Sequence, residues 1–246
     1  MEVFVLKVRV KFEKTEGMRF VGHLDLMRFF QKAIRRANIP IKYSEGFSPH
    51  QIMSFGAPLS MGVSGLGEYM DIELKEGSHI SSKEAIKRLN EMMCTGMKVT
   101  KFLQIPDNSK PAMALMDTAD FKAEFKTEVK ETDINAAIEK LMSKESILLT
   151  KVSKKKKKNQ YGKFVEVEIT SVVDIKPFIY KLEAIKNGVY MHLSQGSTNN
   201  IKPAAVMEFL YEEGLDAAKK NEYYLYRLDM YTDEGKALDE YGCEII

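Results

Sequence analysis

Residues 3 to 12 alternate, with Val8, Val10 and Phe12 on one side and Lys7, Arg9 and Lys11 on the other, which predicts a strand with one wet face. From His23 to Asn38 the period lengthens. Leu26, Phe30, Ala33, Ile34 and Ala37 share one helical face, Arg28, Lys32, Arg35 and Arg36 share the opposite one, and Pro40 stops the helix. An irregular segment rich in Gly, Pro and aromatics runs from Tyr43 to Gly67. It is followed by a strand at Tyr69 to Leu74, a helix starting near Ser81 or Ser82, and a strand around Val99 to Leu103.

Pro106 to Pro111, with Asp107, Asn108 and Ser109 between them, reads as a linker because turn formers coincide with a loss of periodicity. Beyond it the plan recurs. Phe121, Ala123, Phe125 and Val129 alternate with charges, Thr132 can cap a helix carrying Ile134, Ile138, Leu141 and Met142, and strands follow at 146–153 and 163–169. A helix is predicted from Asp174 to Lys186, ending at Gly188, then a strand at Val189 to Leu193 and a proline-started helix from Ala204 to Glu213. Two successive strand-helix-strand-strand-helix-strand units predict an α+β fold of two tandem ferredoxin-like lobes with antiparallel sheets. The boundaries are 1–105 for the first lobe, 106–118 for the linker, and 119–246 for the second lobe with an extra helix and an acidic tail.

Across 246 residues, 44% hydrophobic and 10% aromatic side chains suffice for a real core. Charges interrupt every apolar stretch well short of the ~20 residues a bilayer-spanning helix needs, and the first residues lack the features of a signal peptide, so the reading is cytoplasmic with no membrane partner. The two cysteines, Cys94 and Cys243, occur without ligand spacing, so no metal, iron–sulfur or redox-cysteine chemistry is expected of this chain. The formal charge of +2 hides an asymmetry: residues 206 to 246 hold 4 Lys and Arg against 11 Asp and Glu, and the rest of the chain is basic. Any polyanion should therefore meet the first two hundred residues.

Four elements are candidates for function. Arg28, Lys32, Arg35 and Arg36 line one side of a helix and could track phosphates, where most such faces are simply solvated. Lys151, Lys154, Lys155, Lys156, Lys157, Lys158 and Lys163 crowd a predicted hairpin loop that calls for an anionic partner. Gly196, Ser197, Thr198 and Lys202 precede a helix start and suit a phosphate or carboxylate, or merely cap the helix. The Tyr43 to Phe55 segment could stack on bases or grip a peptide. His23, with Asp25 and Glu45 as partners, is the one candidate for acid–base work, although no recognisable catalytic motif accompanies it.

The stretches Arg19-Phe20-Val21-Gly22-His23-Leu24-Asp25-Leu26, Tyr43-Ser44-Glu45-Gly46-Phe47-Ser48-Pro49-His50 and Gly67-Glu68-Tyr69-Met70-Asp71 resemble the radical-SAM-linked protein family, a bacterial domain of unassigned function. Gly196 to Pro203 resembles its second block. The resemblance marks His23, Asp25, Tyr43, Glu45, Phe47 and His50 as a family-motif surface. It implies a stand-alone form whose partner, a separate radical-SAM enzyme, holds the iron–sulfur cluster and S-adenosylmethionine, with no cofactor bound by this chain.

The leading expectation is a non-catalytic RNA-binding or substrate-presenting module. One alternative is a protein-interaction subunit of the same enzyme that does not touch RNA. The other is a metal-independent ribonuclease of the Cas6 type, by analogy at the level of fold alone.

Overall fold

The computed structural model describes residues 6–158, 164–196, 199–216 and 220–246, and the side chains of these except 153–158, 165 and 167. The first half runs β1 (Lys7–Lys14), a 3₁₀ turn (Glu16–Phe20), α1 (His23–Arg36), β2 (Met53–Phe55), β3 (Val63–Glu73), α2 (Ser82–Glu91) and β4 (Met97–Ile105). After a short helix, α3 (Ala112–Leu115), come β5 (Thr118–Phe125), α4 (Glu131–Ser143), β6 (Leu148–Lys158), β7 (Phe164–Asp174), β8 (Ile179–Ile185), β9 (Gly188–Ser194), α5 (Pro203–Glu212), β10 (Tyr223–Tyr231) and β11 (Cys243–Glu244).

Among the described residues the fold is α+β, with five α-helices, one mixed nine-stranded sheet and a separate two-stranded ribbon, β6–β7. The main sheet runs β11-β4-β1-β3-β10-β5-β9-β8, with β2 on β3. The expectation of separate antiparallel sheets is thus corrected: the two halves share one sheet, joined where β10 pairs in parallel with Val63, Ser64 and Gly65 of β3. That contact is close. A Cβ built on Gly67 would lie 2.5 Å from the Leu228 carbonyl oxygen, so only glycine lets β10 approach there.

Each half keeps its own core on the helical side of the sheet. Leu26, Phe30 and Ile34 of α1 pack with Val8, Val10 and Phe12 of β1, and Ile134, Ile138 and Leu141 of α4 pack with Phe121, Ala123 and Leu193. The helix-forming periods were read correctly in both. The stop of α1 is Asn38, at φ 51, with Ile39 N–H returning to the Ile34 carbonyl, two residues before Pro40. Helix α4 starts at Glu131 with no side-chain cap, so Thr132 lies inside it.

Two further expectations fail, the helix at Asp174 to Lys186 and the loop at the lysine run, and two predicted strands form but stand outside the main sheet. The helix predicted from Asp174 to Lys186 is a 3₁₀ turn at Lys176–Phe178 followed by strand β8. Ile175, Phe178, Ile179 and Leu182 are spaced as on a helix, but Pro177 shortens the turn, and Asn187, at φ 53, closes a tight hairpin in which Ile185 pairs with Gly188. The strands predicted at 146–153 and 163–169 belong to the β6–β7 ribbon, and β8 and β9 take their place in the main sheet. Lys151 and Lys154 to Lys158 lie in a strand rather than a loop, since β6 extends through Lys158, and Lys163 lies outside the described residues.

The acidic tail is built into the structure. Strand β10 lies mid-sheet between β3 and β5, and β11 pairs with β4. Asp229 and Asp239 meet Lys11 at 2.5 and 3.2 Å, and Lys101 meets Asp239 at 2.5 Å. Burial opposes ionisation of Asp239, but the Lys101 hydrogen bond and the Lys11 charge outweigh it and hold the carboxyl below its ordinary range. Tyr69 donates to Asp229 at 2.6 Å, and its hydroxyl is pushed far up by burial and by that carboxylate. Arg9, fully buried, grips Asp71 through two hydrogen bonds of 2.8 and 3.0 Å. On the open face of the second half, Asp120 accepts from Tyr190 and Tyr231 and pairs with His192 Nδ1.

Candidate nucleic-acid interface

Helix α1 buries Leu26, Phe30, Ala33 and Ile34, which turns Arg28, Lys32, Arg35 and Arg36 to solvent. Arg28 and Arg35 lie seven residues apart, about 10 Å along the axis at 1.5 Å per residue, so the basic side chains follow an extended line. Beside them the chain folds back through Tyr43 to Gln51. Tyr43 bridges to Gln51, the Ser44 N–H donates to the His50 carbonyl at 2.8 Å, and Ser44 Oγ accepts from the His50 N–H while meeting its Nδ1 at 2.8 Å. This double clasp closes a compact loop whose tip carries Glu45, Gly46 and Phe47.

Loop and helix meet in an open groove of about 350 Å³ lined by Arg28, Gln31, Lys32, Arg35, Tyr43, Pro49, His50 and Gln51. Two elements recognised separately in the sequence are thereby brought together. The lining contains no carboxylate. Asp25 reaches Arg28 at 3.3 Å, but both side chains are well exposed and so weakly coupled.

Gln51 is the residue that sequence reading missed. It is buried, and its Nε2 donates to the Gln31 carbonyl at 3.2 Å and to the Tyr43 hydroxyl at 3.3 Å. Its Oε1 is buried without a hydrogen-bond partner among the described residues.

The other candidates scatter. Arg36 is exposed outside the groove lining. Glu45 and Phe47 are exposed at the loop tip, Phe47 completely so. His23 opens α1 with its ring edge-on to Phe55 at 5.5 Å, and no described hydrogen bond joins it to Asp25 or Glu45. Register sets Lys154 opposite Glu168 and Lys156 opposite Glu166, while the side chains of Lys154 to Lys158 lie outside the described residues, as do Ser197, Thr198 and Lys163 altogether.

The proposed anion loop divides. Lys202 lines a cavity between the two halves, whereas Gly196 abuts Asp117, 3.1 Å from where a Cβ would sit, in a second, polar cavity.

A family model for uncharacterized proteins conserved in bacteria, DUF2344, matches residues 7–203. The chain belongs to this family. No curated protein matches it. The DUF2344 match spans α1, the Tyr43–Gln51 loop and the whole groove, and it ends at the first residue of α5.

Proposed function

We propose that this DUF2344 chain is a non-catalytic RNA-binding or substrate-presenting module that works with a separate radical-SAM enzyme. The observation that carries the reading is the groove itself, three cations in line on α1 facing an aromatic and an amide with no acid between them. Cations at that spacing suit successive phosphates of a single strand, and Tyr43 offers a face for a base. The exposed Phe47 offers the partner enzyme an anchor, and the cluster and S-adenosylmethionine are assigned to that partner.

Each half is, on this reading, a ferredoxin-like unit. Support comes from strand order: β4-β1-β3-β2 and β10-β5-β9-β8 both place the fourth strand, then the first, third and second of their unit, with the β6–β7 ribbon inserted after α4.

The reading without RNA draws on exposed apolar side chains around the start of α1, Phe20 at 56% and Leu24 at 63% exposure, together with Phe47. Binding of the purified chain to a mixed cellular RNA pool, measured at low and high salt for wild type and Arg28→Gln/Lys32→Gln/Arg35→Gln, separates the two. Salt-sensitive binding that weakens in the variant supports the RNA module. Absent binding, or binding indifferent to both salt and substitution, leaves the protein-interaction subunit.

A further inference from the structure

A second cavity is larger than the groove on α1. It is a cleft of about 590 Å³ between the two halves, within the ~300–1,000 Å³ typical of small-molecule sites. The Pro58–Ser60 segment of the first half forms one side, β6 and the start of α5 form the other, and Phe121 and Arg227 of the shared sheet also line it.

Its chemistry is divided. Leu59, Phe121 and Leu149 supply apolar surface, Gln195 and Asn200 supply amides, and Lys151 and Lys202 supply cations. Among the described residues no carboxylate lines it. The third cation, Arg227, is already held by Glu68 through two hydrogen bonds, so the unmatched charge belongs to the two lysines. Gln195 is buried, and its Nε2 is fixed by the Ser194 and Ile201 carbonyls, which leaves its side chain preset rather than free to rotate. A ligand complementary to this lining has a flat, largely apolar body with hydrogen-bonding edges and a compact anionic group within reach of Lys151 and Lys202.

We propose that the cleft binds a nucleoside monophosphate, either as a free nucleotide or as the phosphorylated end of an RNA. The base lies against Leu59 and Phe121 near the two amides, and the phosphate lies between the lysines. The choice of a nucleotide over other anionic organic molecules rests on the RNA reading of the α1 groove. The cleft itself is independent of that groove. The strand that brings Lys151 to the cleft continues as Lys154 to Lys158.

The test is calorimetric titration of the full chain with uridine and adenosine monophosphates, the matching nucleosides and inorganic phosphate. A second arm uses a short RNA with and without a terminal phosphate. Lys151→Gln and Lys202→Gln are surface changes that should fold normally, and thermal melting checks this. Expected is binding of the monophosphate that neither nucleoside nor phosphate reproduces, weakened about tenfold or more by either substitution and untouched by Arg28→Gln/Lys32→Gln/Arg35→Gln. If only the RNA arm discriminates the terminal phosphate, the source is an RNA end. If both lysine variants behave as wild type in both arms, or inorganic phosphate binds as well as the nucleotide, the assignment is overturned. Salt-sensitive RNA binding through α1 would survive that result, whereas its own loss in the α1 variant would leave the lysine effects in the first arm standing.

Discussion

Arg227 and Glu68 meet through two hydrogen bonds, of 2.8 and 2.5 Å, beside the parallel pairing of β10 with β3, with both side chains buried. The arginine also donates to the Ala57 carbonyl at 2.7 Å, so one guanidinium ties β10, β3 and the chain entering the cleft. Lys14, also buried, donates to the Val21 carbonyl, and burial lowers its pKa against the opposing pull of Glu68.

Arg227→Ala should therefore destabilise the protein by about 3–5 kcal/mol, because it strands a buried carboxylate. Chemical denaturation measures this. Arg227→Met combined with Glu68→Leu should recover much of the loss, and a double variant no better than the single one would mean that packing, not charge, holds this seam.

Asp239 gives the fold an acid limit. Its folded pKa lies below the ordinary 3.8, so its contribution is fully present above the unfolded value and is lost as pH falls through the folded one. Asp239→Asn should cost about 1.5–3 kcal/mol at neutral pH, as for a hydrogen bond to a charged group. The gap between variant and wild type should shrink as pH drops below that value, and denaturation across pH 2–7 follows it. A gap that stays constant would assign the cost to shape alone.

Tyr43→Ala should weaken RNA binding by about 1–3 kcal/mol if a base stacks on the ring, with Tyr43→Phe close to wild type. Fluorescence anisotropy with a labelled single strand reads both. Equal losses in the two variants would move the effect from the ring to the hydroxyl and its Gln51 contact.

The three α1 cations should share a further signature. Their replacement by glutamine should reduce the slope of log affinity against log salt by about 2, at roughly 0.7 per phosphate contact on a single strand. An unchanged slope with weaker binding would show that they shape the groove without touching phosphate.

Asn187 closes the β8–β9 turn and also braces it, accepting from Val129 N–H at 3.0 Å and donating to the Phe125 carbonyl at 2.8 Å. Asn187→Ala should cost about 1–3 kcal/mol in stability by leaving these groups unmet, and should leave RNA binding unaltered at temperatures well below melting.

How far the sequence revealed all this depended on periodicity. Helix α1 was legible because five apolar residues recur on one face, and that same period put Arg28, Lys32 and Arg35 in line. Strand β8 was misread because Ile175, Phe178, Ile179 and Leu182 mimic a helix, although Asn187-Gly188 is a hairpin signal. Strand β10 escaped notice because a cation, Arg227, points into the core among Tyr223, Leu225 and Met230, which breaks the apolar alternation that marks a strand. Its acids looked like a solvated tail because their partners, Lys11 and Lys101, lie more than a hundred residues away. Gln51 carried no signal at all: a single amide in a loop has no period, and its burial comes from α1 and Tyr43 closing over it.

The pairing of Cys243–Glu244 with Leu103 and Gln104, and the reach of Ser82 to Ile245 through both backbone and hydroxyl, bear on the order in which the molecule is completed. On the ribosome, the strand that will border β11 emerges some 140 residues before its neighbour does, counting from Gln104 to Cys243. During that interval Leu103 and Gln104 of β4 lack this partner and present an unpaired edge to other nascent chains nearby. Closing so long a loop is slow, so the early half should rely on chaperones, or on rapid synthesis of the remainder, to avoid pairing with strangers.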